Sequence, residues 1–307
     1  MNLDKNILKD CVLCPRNCHT DRTNGKRGYC GVSDELIVAR AALHMWEEPC
    51  ISGKKGSGTV FFSGCAMGCV YCQNYSIAKV LNGKRITIDR LSDIFIELQN
   101  KGANNINLVT PSHYVPQIIE ALDKAKNKGL VLPVVYNTSG YEKVETIKAL
   151  EEYVDIYLPD FKYFDSDIGK RYSNCPDYFS YASAAIEEMV KQKPIPVFDD
   201  RGMMKQGVIV RHLILPGYLE DSKSIINYLY KTFNVHIYIS IMNQYTPLEN
   251  VLAYPEINRK ITEKEYDELV DYAISLGVEN GFIQDGETAS ESFIPDFDNE
   301  GVGGEPC

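Results

Sequence analysis

No stretch of this chain approaches the roughly 20 consecutive apolar residues that cross a bilayer. The opening MNLDKNILKDC also lacks the apolar core of a secretory leader. Basic charge is short as well: 32 Lys and Arg stand against 42 Asp and Glu, for a net charge of −10 over 307 residues. These absences argue against a membrane-spanning helix and against a protein that coats nucleic acid. Neither a membrane nor a nucleic-acid partner is expected, and the expected location is cytoplasmic. Disulfides are disfavoured there, so the ten cysteines need another use, either metal binding or chemistry. The remainder, 44% hydrophobic and 24% charged, is an ordinary globular composition for one large domain with at most a small attachment.

Seven of the cysteines are bunched. Cys11, Cys14, Cys18 and Cys30 are spaced C-x2-C-x3-C-x11-C. Cys65, Cys69 and Cys72 are spaced C-x3-C-x2-C within FSGCAMGCVYCQN. Ligand loops bunch cysteines because several sulfurs must converge on one small object. Cys50, Cys175 and Cys307 stand apart, and Cys175 reads as a simple thiol on a loop at the far side of the barrel.

Residues 1–55 are rich in cysteine, glycine and charge, with one expected strand at 36–42. A segment this poor in apolar material needs a metal to supply folding energy. From Thr59 the pattern changes. Apolar strands are expected at 59–63, 106–109, 130–137, 154–162, 208–215 and 235–241, with a short last one at 281–284. Helices are expected between them at 89–101, 115–129, 142–153, 181–191 and 221–233. A further helix at 262–277 is capped by Thr262 and closed by Gly277. This strand–helix alternation, with strands apolar on both faces, predicts an α/β fold. The expected architecture is a partial TIM-like (β/α)6 barrel over 56–284, with a small cysteine-rich N-terminal extension over 1–55. An acidic, glycine-rich tail over 285–307 follows. It carries seven carboxylates and no Lys or Arg, and is read as a solvated tail or a lid at the barrel mouth. Polar clusters directly follow the strands (SGC, TPSH, NTSG, PDFK, NQYTP), at the end where such barrels build their sites.

Three thiolates on one short loop hold three irons of a [4Fe–4S] cube and leave the fourth iron open, whereas electron-transfer clusters use four cysteines. The alternatives are a zinc site completed by His44 or His113, or plain core thiols. The C-x3-C-x2-C loop, with Tyr71 before its last cysteine, resembles the signature of the radical S-adenosylmethionine (radical SAM) enzymes. Gly56-Ser57-Gly58-Thr59 before the strand, NTSG at 137–140, Asp160-Phe161-Lys162 and RHLILPG at 211–217 extend the likeness. Together they resemble the pyruvate formate-lyase activating enzymes from about Gly56 to Pro247. The N-terminal CxLCPRxC…GxCG element resembles a subgroup of activating-enzyme-like proteins.

The resemblance implies a fold, a [4Fe–4S] cluster on Cys65, Cys69 and Cys72, and SAM as cofactor. It also implies reductive cleavage of SAM to a 5′-deoxyadenosyl radical, anaerobic oxidoreductase chemistry and an external one-electron donor such as flavodoxin or ferredoxin. Two segments depart from the family. Where many relatives carry Gly-Gly-Glu-Pro, this chain has Thr110-Pro111-Ser112-His113. Thr110 and Ser112 hydroxyls, or backbone carbonyls, are then expected to take the SAM ammonium, more weakly than a carboxylate does. Asn137 replaces the first Asp of Asp-Thr-Asn-Gly, so Asp160 alone keeps its charge at the family's cation site. Thr138, Ser139, Asp160 and Lys162 are expected along the rim. Lys162 is read as pairing with Asp160 or meeting the SAM carboxylate or a substrate anion. Arg211 is read as pointing toward an acidic group in the barrel or as structural, and His212 as structural. Tyr71 packs on adenine or in the core. Gln244 and Tyr245 position substrate, and the run from Gln284 to Glu287 is a weaker candidate. The catalytic set is expected to be Lys162, Arg211 and Gln244.

The N-terminal quartet suits a second [4Fe–4S] cluster, given nearby Arg16, Arg22, Lys26 and Arg27, or zinc, or remains unligated. His19 and Cys50 are spare ligands. The expected function is activation of a glycyl radical enzyme. The alternatives are modification of a peptide or small molecule, or a scaffold without turnover.

Overall fold

The computed structural model describes residues 3–284 and 295–303. Among the described residues, ten strands form in chain order: β1 Leu36–His44, β2 Ser57–Phe62, β3 Lys84–Ile86, β4 Ile106–Val109, β5 Val134–Thr138, β6 Ile156–Pro159, β7 Val197–Phe198, β8 Met204–Leu213, β9 Tyr238–Met242 and β10 Gly281–Ile283. Every position of β2, β4, β5 and β6 is buried. Strands covered on both faces by helices have that pattern. The sheet order is β10-β9-β8-β6-β5-β4-β2-β1-β3, with β7 paired on β8. From β2 through to β10 each successive pair is parallel. The order begins and ends on different strands, so the barrel is partial and unclosed. All the C-terminal ends of the parallel strands therefore reach one rim.

The helices follow their apolar spacing. Ile88–Asn100 buries Leu91, Ile94, Phe95 and Leu98, an i, i+3, i+4, i+7 stripe. Each such side chain contributes roughly 1.5–3 kcal/mol by leaving water. Thr262 and Glu265 form a capping box at the start of Glu263–Leu276, and Gly277 closes that helix in the left-handed conformation.

Several expected boundaries shift for local reasons. The strand expected from 130 starts at Val134, since Pro133 has no N–H to give the ladder; its carbonyl accepts from Ile106 at 2.9 Å. The helix expected over 142–153 is confined to Val144–Lys148 and continues as turns. A helix at Ser166–Ser173 was not expected. Asp165 caps its first turn, and Asn174 ends it with φ +50°. This helix moves Cys175 away from its expected place. Gly169 donates to Asp165 and accepts from the Cys175 N–H, while the Tyr172 carbonyl accepts from Val70 in the cysteine loop. Cys175 is thereby buried against that loop.

The expected boundary at residue 55 falls between two paired strands. β1 lies antiparallel to β2 and beside β3. Residues 295–303 of the tail continue the position of β3 along β1. The Ala41 N–H donates to the Glu300 carbonyl and the Asn299 N–H to the Ala39 carbonyl. Arg40 pairs with Asp298 and Glu300, and Val302 is buried. A Cβ on Gly301 would lie 2.0 Å from the Ala41 carbonyl oxygen, so only glycine allows this approach. Cys307 lies outside the described residues.

Candidate active site at the open rim

The segment after β2 carries the three cysteines to the rim. Cys65, Cys69 and Cys72 line one wall of a cavity of about 390 Å³. Burial first, then Cys65 and Cys69, together push the Cys72 thiol up to about 12. Cys65 is raised by burial and by Cys69. Cys65 and Cys72, both raised at one cavity, need further positive charge beside them before they become thiolates. An iron–sulfur core supplies that charge, so the donor set fits the cluster. Among the described residues, no three His, Cys, Asp or Glu side chains lie at the spacing of a single ion.

The loop is held from behind. The Ser173 hydroxyl donates to Cys69 Sγ at 3.0 Å and stands 2.6 Å from the Tyr163 hydroxyl, which in turn meets the Tyr71 hydroxyl at 2.6 Å. Tyr71 packs against Tyr163, Tyr172 and Tyr245 and also lines the cavity. Tyr245, expected at the rim, is instead a core residue whose hydroxyl donates to the Ile257 carbonyl. Cys175 meets Met67 Sδ at 3.6 Å and donates to the Ser173 carbonyl, while Arg16 Nη2 lies 2.7 Å from its sulfur. It is thus beside the triad loop, contrary to the sequence reading, yet does not line the cavity.

An ionic group also lines the cavity. Arg211 gives Nε to Asp160 at 2.9 Å, Nη1 to Glu47 at 3.1 Å and Nη2 to Asn137 at 2.6 Å. Lys162 pairs with Asp160 at 2.7 Å. The Arg211 guanidinium therefore sits between Asn137 and Asp160, where the resemblance places a cation site. Burial drives Asp160 upward, but Arg211 and Lys162 outweigh it and hold the carboxyl below its ordinary range. Burial drives Lys162 down, and Asp160, then Cys69, overcome this and leave it raised. Glu47 and Glu48 were missed in the sequence because they precede the barrel; the adjacent acids in WEEP were the only signal.

Thr110, Thr138, Ser139 and Gln244 also line the cavity. Thr110 sits at φ +57°, a conformation costly for a β-branched side chain. Gln244 accepts from Gln73 through its backbone carbonyl at 2.7 Å. Ser112 does not line the cavity. Its hydroxyl and that of Thr138 donate to the buried Glu142 carboxylate, which also accepts from the Tyr136 hydroxyl. His113 bonds the Ser63 carbonyl and His212 bonds Phe161 and Ser222, so both rings are committed structurally. Gln284 lines the cavity, while Asp285, Gly286 and Glu287 lie outside the described residues.

Burial lifts Glu142 from the ordinary 4.5 to about 7, against its three hydroxyl donors. The sign of the pH effect follows. Between pH 4.5 and 7 the unfolded chain ionises this carboxyl and the native chain does not. Stability is expected to fall by roughly 3 kcal/mol as pH rises through that window, with little change from this group above it. Urea unfolding from pH 4 to 8 checks this. Glu142→Gln is expected to remove the slope.

The N-terminal cysteines gather beside this site. A Cβ on Gly28 would lie 3.2 Å from Cys18 Sγ and 3.9 Å from Cys30 Sγ. Cys14 is pushed to about 12 by burial, with Cys30, Glu142 and Cys11 adding to the rise. Arg22 is fully buried; its guanidinium donates to the Ser33 carbonyl at 3.1 and 2.7 Å and lies 3.7 Å from Cys11 Sγ. A buried guanidinium among thiols fits an anionic thiolate–metal group. His19 instead pairs with Asp10, and Cys50 packs with Ile51, Val135 and Ile156. The quartet also touches the triad loop. The Cys65 N–H donates to the Cys30 carbonyl at 3.3 Å, and Arg16 reaches the Ala66 and Met67 carbonyls at 2.8 and 3.1 Å.

An uncharacterized protein of Methanocaldococcus jannaschii is 29% identical over 283 residues, covering 89% of this chain and 77% of that protein. Among solved structures, Streptococcus suis SuiB bound to S-adenosylmethionine aligns with TM-score 0.49 and 11% identity, over 73% of this chain and 49% of SuiB. The chain spans about half the length of that protein. A domain of a pyruvate-formate lyase-activating enzyme from Bacteroides vulgatus aligns with TM-score 0.40 and 13% identity, over 56% of this chain and 92% of the domain. The Radical SAM superfamily matches residues 59–229, more than half of the chain and the whole stretch from β2 through most of the helix after β8, and the chain belongs to that superfamily.

Proposed function

We propose that this radical SAM enzyme takes a hydrogen atom from a protein or peptide, acting as an activating enzyme for a glycyl radical enzyme. The observation that carries the reading is the cavity wall built from Cys65, Cys69 and Cys72 without a fourth cysteine among the described lining residues. When bound there, a [4Fe–4S] cluster and SAM supply one-electron cleavage to a 5′-deoxyadenosyl radical. The chain's own residues do the rest. Lys162, kept protonated by Asp160, offers a cation to a carboxylate. Thr110, Thr138 and Ser139 offer hydroxyls and carbonyls to an ammonium and a ribose. Ser173 and Arg16 hold the cysteine loop in place, and Tyr71 and the apolar lining keep water from the reacting carbon. An external one-electron donor, such as flavodoxin or ferredoxin, completes the scheme.

The test uses a glycyl radical enzyme or peptide deuterated at the glycine α-carbon. Deuterium is expected in the 5′-deoxyadenosine, with a glycyl signal in the electron spin resonance of the larger protein. Deuterium without that signal points to peptide modification. Label arriving only from a small metabolite defeats the reading.

The quartet of Cys11, Cys14, Cys18 and Cys30 is proposed as a second metal site; its described side chains are not at single-ion spacing, which favours a further [4Fe–4S] cluster over zinc. Cys14→Ser is expected to lower metal content by that site's complement and to make residues 1–35 protease-sensitive. Elemental analysis with limited proteolysis checks both, and the triad is expected to keep its iron.

A further inference from the structure

We propose that Glu48 is a substrate-recognition residue, and that the substrate brings a cationic group, an ammonium or a guanidinium, to the cavity floor. This rests on the radical SAM reading of the same cavity.

The floor is made by a strap between β1 and β2. Ser52 Oγ donates to the His44 carbonyl and accepts from the Glu47 N–H. Asn104 and Asn105, just before β4, donate to the Ser52 and Ile51 carbonyls at 2.7 and 2.8 Å. Ile51 and Cys50 fill the lower barrel interior with Val135, Ile156, Leu158 and Ile209. The strap is thus anchored at the N-terminal ends of the strands, and Glu47 and Glu48 stand between this plug and the rim. Glu47 accepts from Asn107 of β4 at 3.0 Å, three residues before Thr110, which follows that strand. At about 3.3 Å per residue along a strand, this layer lies below the rim that carries the cysteine loop.

Charge then decides what the floor takes. Among the described residues lining the cavity, the carboxylates are Glu47, Glu48 and Asp160, and the cations are Lys162 and Arg211. His44 is held neutral by burial and by Arg40. Asp160 accepts from both cations, and Glu47 accepts from Arg211, Asn107 and Asn137. Glu48 is left over. It is 92% buried, and its Oε2 has no hydrogen-bond partner. A buried carboxylate oxygen without a partner costs far more than a paired one. A cation entering the cavity relieves that cost, whereas an anion or an apolar group does not. Leu213, Met242 and Phe282 line the cavity as well, so the occupant is an apolar stem with a charged end.

The experiment measures binding to the reconstituted protein with SAM and without reductant, by calorimetry. The probes are acetyl-Gly-Lys-Gly-amide and its norleucine counterpart, with pentylammonium against pentanol for a free amine. The lysine peptide, or pentylammonium, is expected to bind at least tenfold more tightly than its neutral partner. Glu48→Gln is expected to erase that preference while leaving the norleucine peptide or pentanol within twofold of wild type. Circular dichroism checks that this variant folds. If it does not, Glu48→Asp keeps the charge one methylene farther back and is expected to favour a homolysine peptide over lysine. Equal binding of charged and neutral probes by the wild type, or an unchanged preference in Glu48→Gln, overturns the proposal. Because no reductant is present, this outcome is independent of whether SAM is cleaved, which is scored separately as 5′-deoxyadenosine.

Discussion

Replacing Cys69 by alanine is expected to reduce SAM cleavage by about three orders of magnitude or more, to the uncatalysed background. Cys69 is the middle ligand of the proposed triad, and its neighbourhood explains why no other residue replaces it. Its sulfur accepts from Ser173 at 3.0 Å, and its charge is felt by Cys65, Cys72, Lys162 and Tyr71. Cys175 is adjacent, but its sulfur is committed to Arg16, Met67 and the Ser173 carbonyl. The iron bound by the triad is expected to be lost, with the quartet's metal retained. Iron analysis, the visible spectrum of the anaerobically reconstituted variant and a 5′-deoxyadenosine assay check this together. Wild-type iron and turnover in the variant would remove the triad from the mechanism. Cys175→Ala is the control and is expected to keep its iron, since that thiol does not face the cavity.

Asp160→Asn is expected to destabilise the fold by roughly 3–5 kcal/mol at neutral pH. Asp160 is the shared counter-charge of Lys162 and Arg211, at 2.7 and 2.9 Å, and all three side chains are about 15% exposed. The amide keeps the shape and removes the charge, leaving two buried cations with only Glu47 and Glu48 nearby. The carboxyl is held below its ordinary range in the folded state. Its stabilisation is therefore present at neutral pH, complete above the unfolded value near 4, and lost as pH falls through the folded value. Urea unfolding of both proteins at pH 7 and below pH 4 checks the magnitude and the sign. The difference is expected to shrink in acid. A variant as stable as wild type at pH 7 would show that water, not Asp160, balances these cations.

The strand–helix order was legible because it rests on local spacing. Apolar runs of four to six residues mark β2, β4, β5 and β6, and the i, i+3, i+4 stripe marks Ile88–Asn100. The rim residues were legible for the same reason: Thr138, Asp160, Arg211 and Gln244 fall at or just past the C-terminal ends of β5, β6, β8 and β9, and parallel strands bring such ends together. The cysteine triad lies within eight residues, so its purpose was visible without a fold. The Ser166–Ser173 helix was not, because its polar sequence has only the Asp165 cap and the Asn174 stop to announce it.

Tertiary structure decided which charges meet. Arg211 reaches Asp160, 51 residues away, because β8 skips β7 to lie beside β6. It reaches Glu47, 164 residues away, because the strap after β1 turns under the barrel. Arg16 clasps the cysteine loop, and Cys175 arrives behind it, across 50 and more residues. Ser112 turned to Glu142 rather than the cavity because a buried carboxylate takes the nearest hydroxyl donors available. The sequence by itself determined the strands, the helices and the identity of the metal-seeking cysteines, since these depend on neighbours in the chain. Which carboxylate is left unpaired at the cavity floor depends on neighbours in space, and long-range pairing leaves no periodic trace in the order of residues.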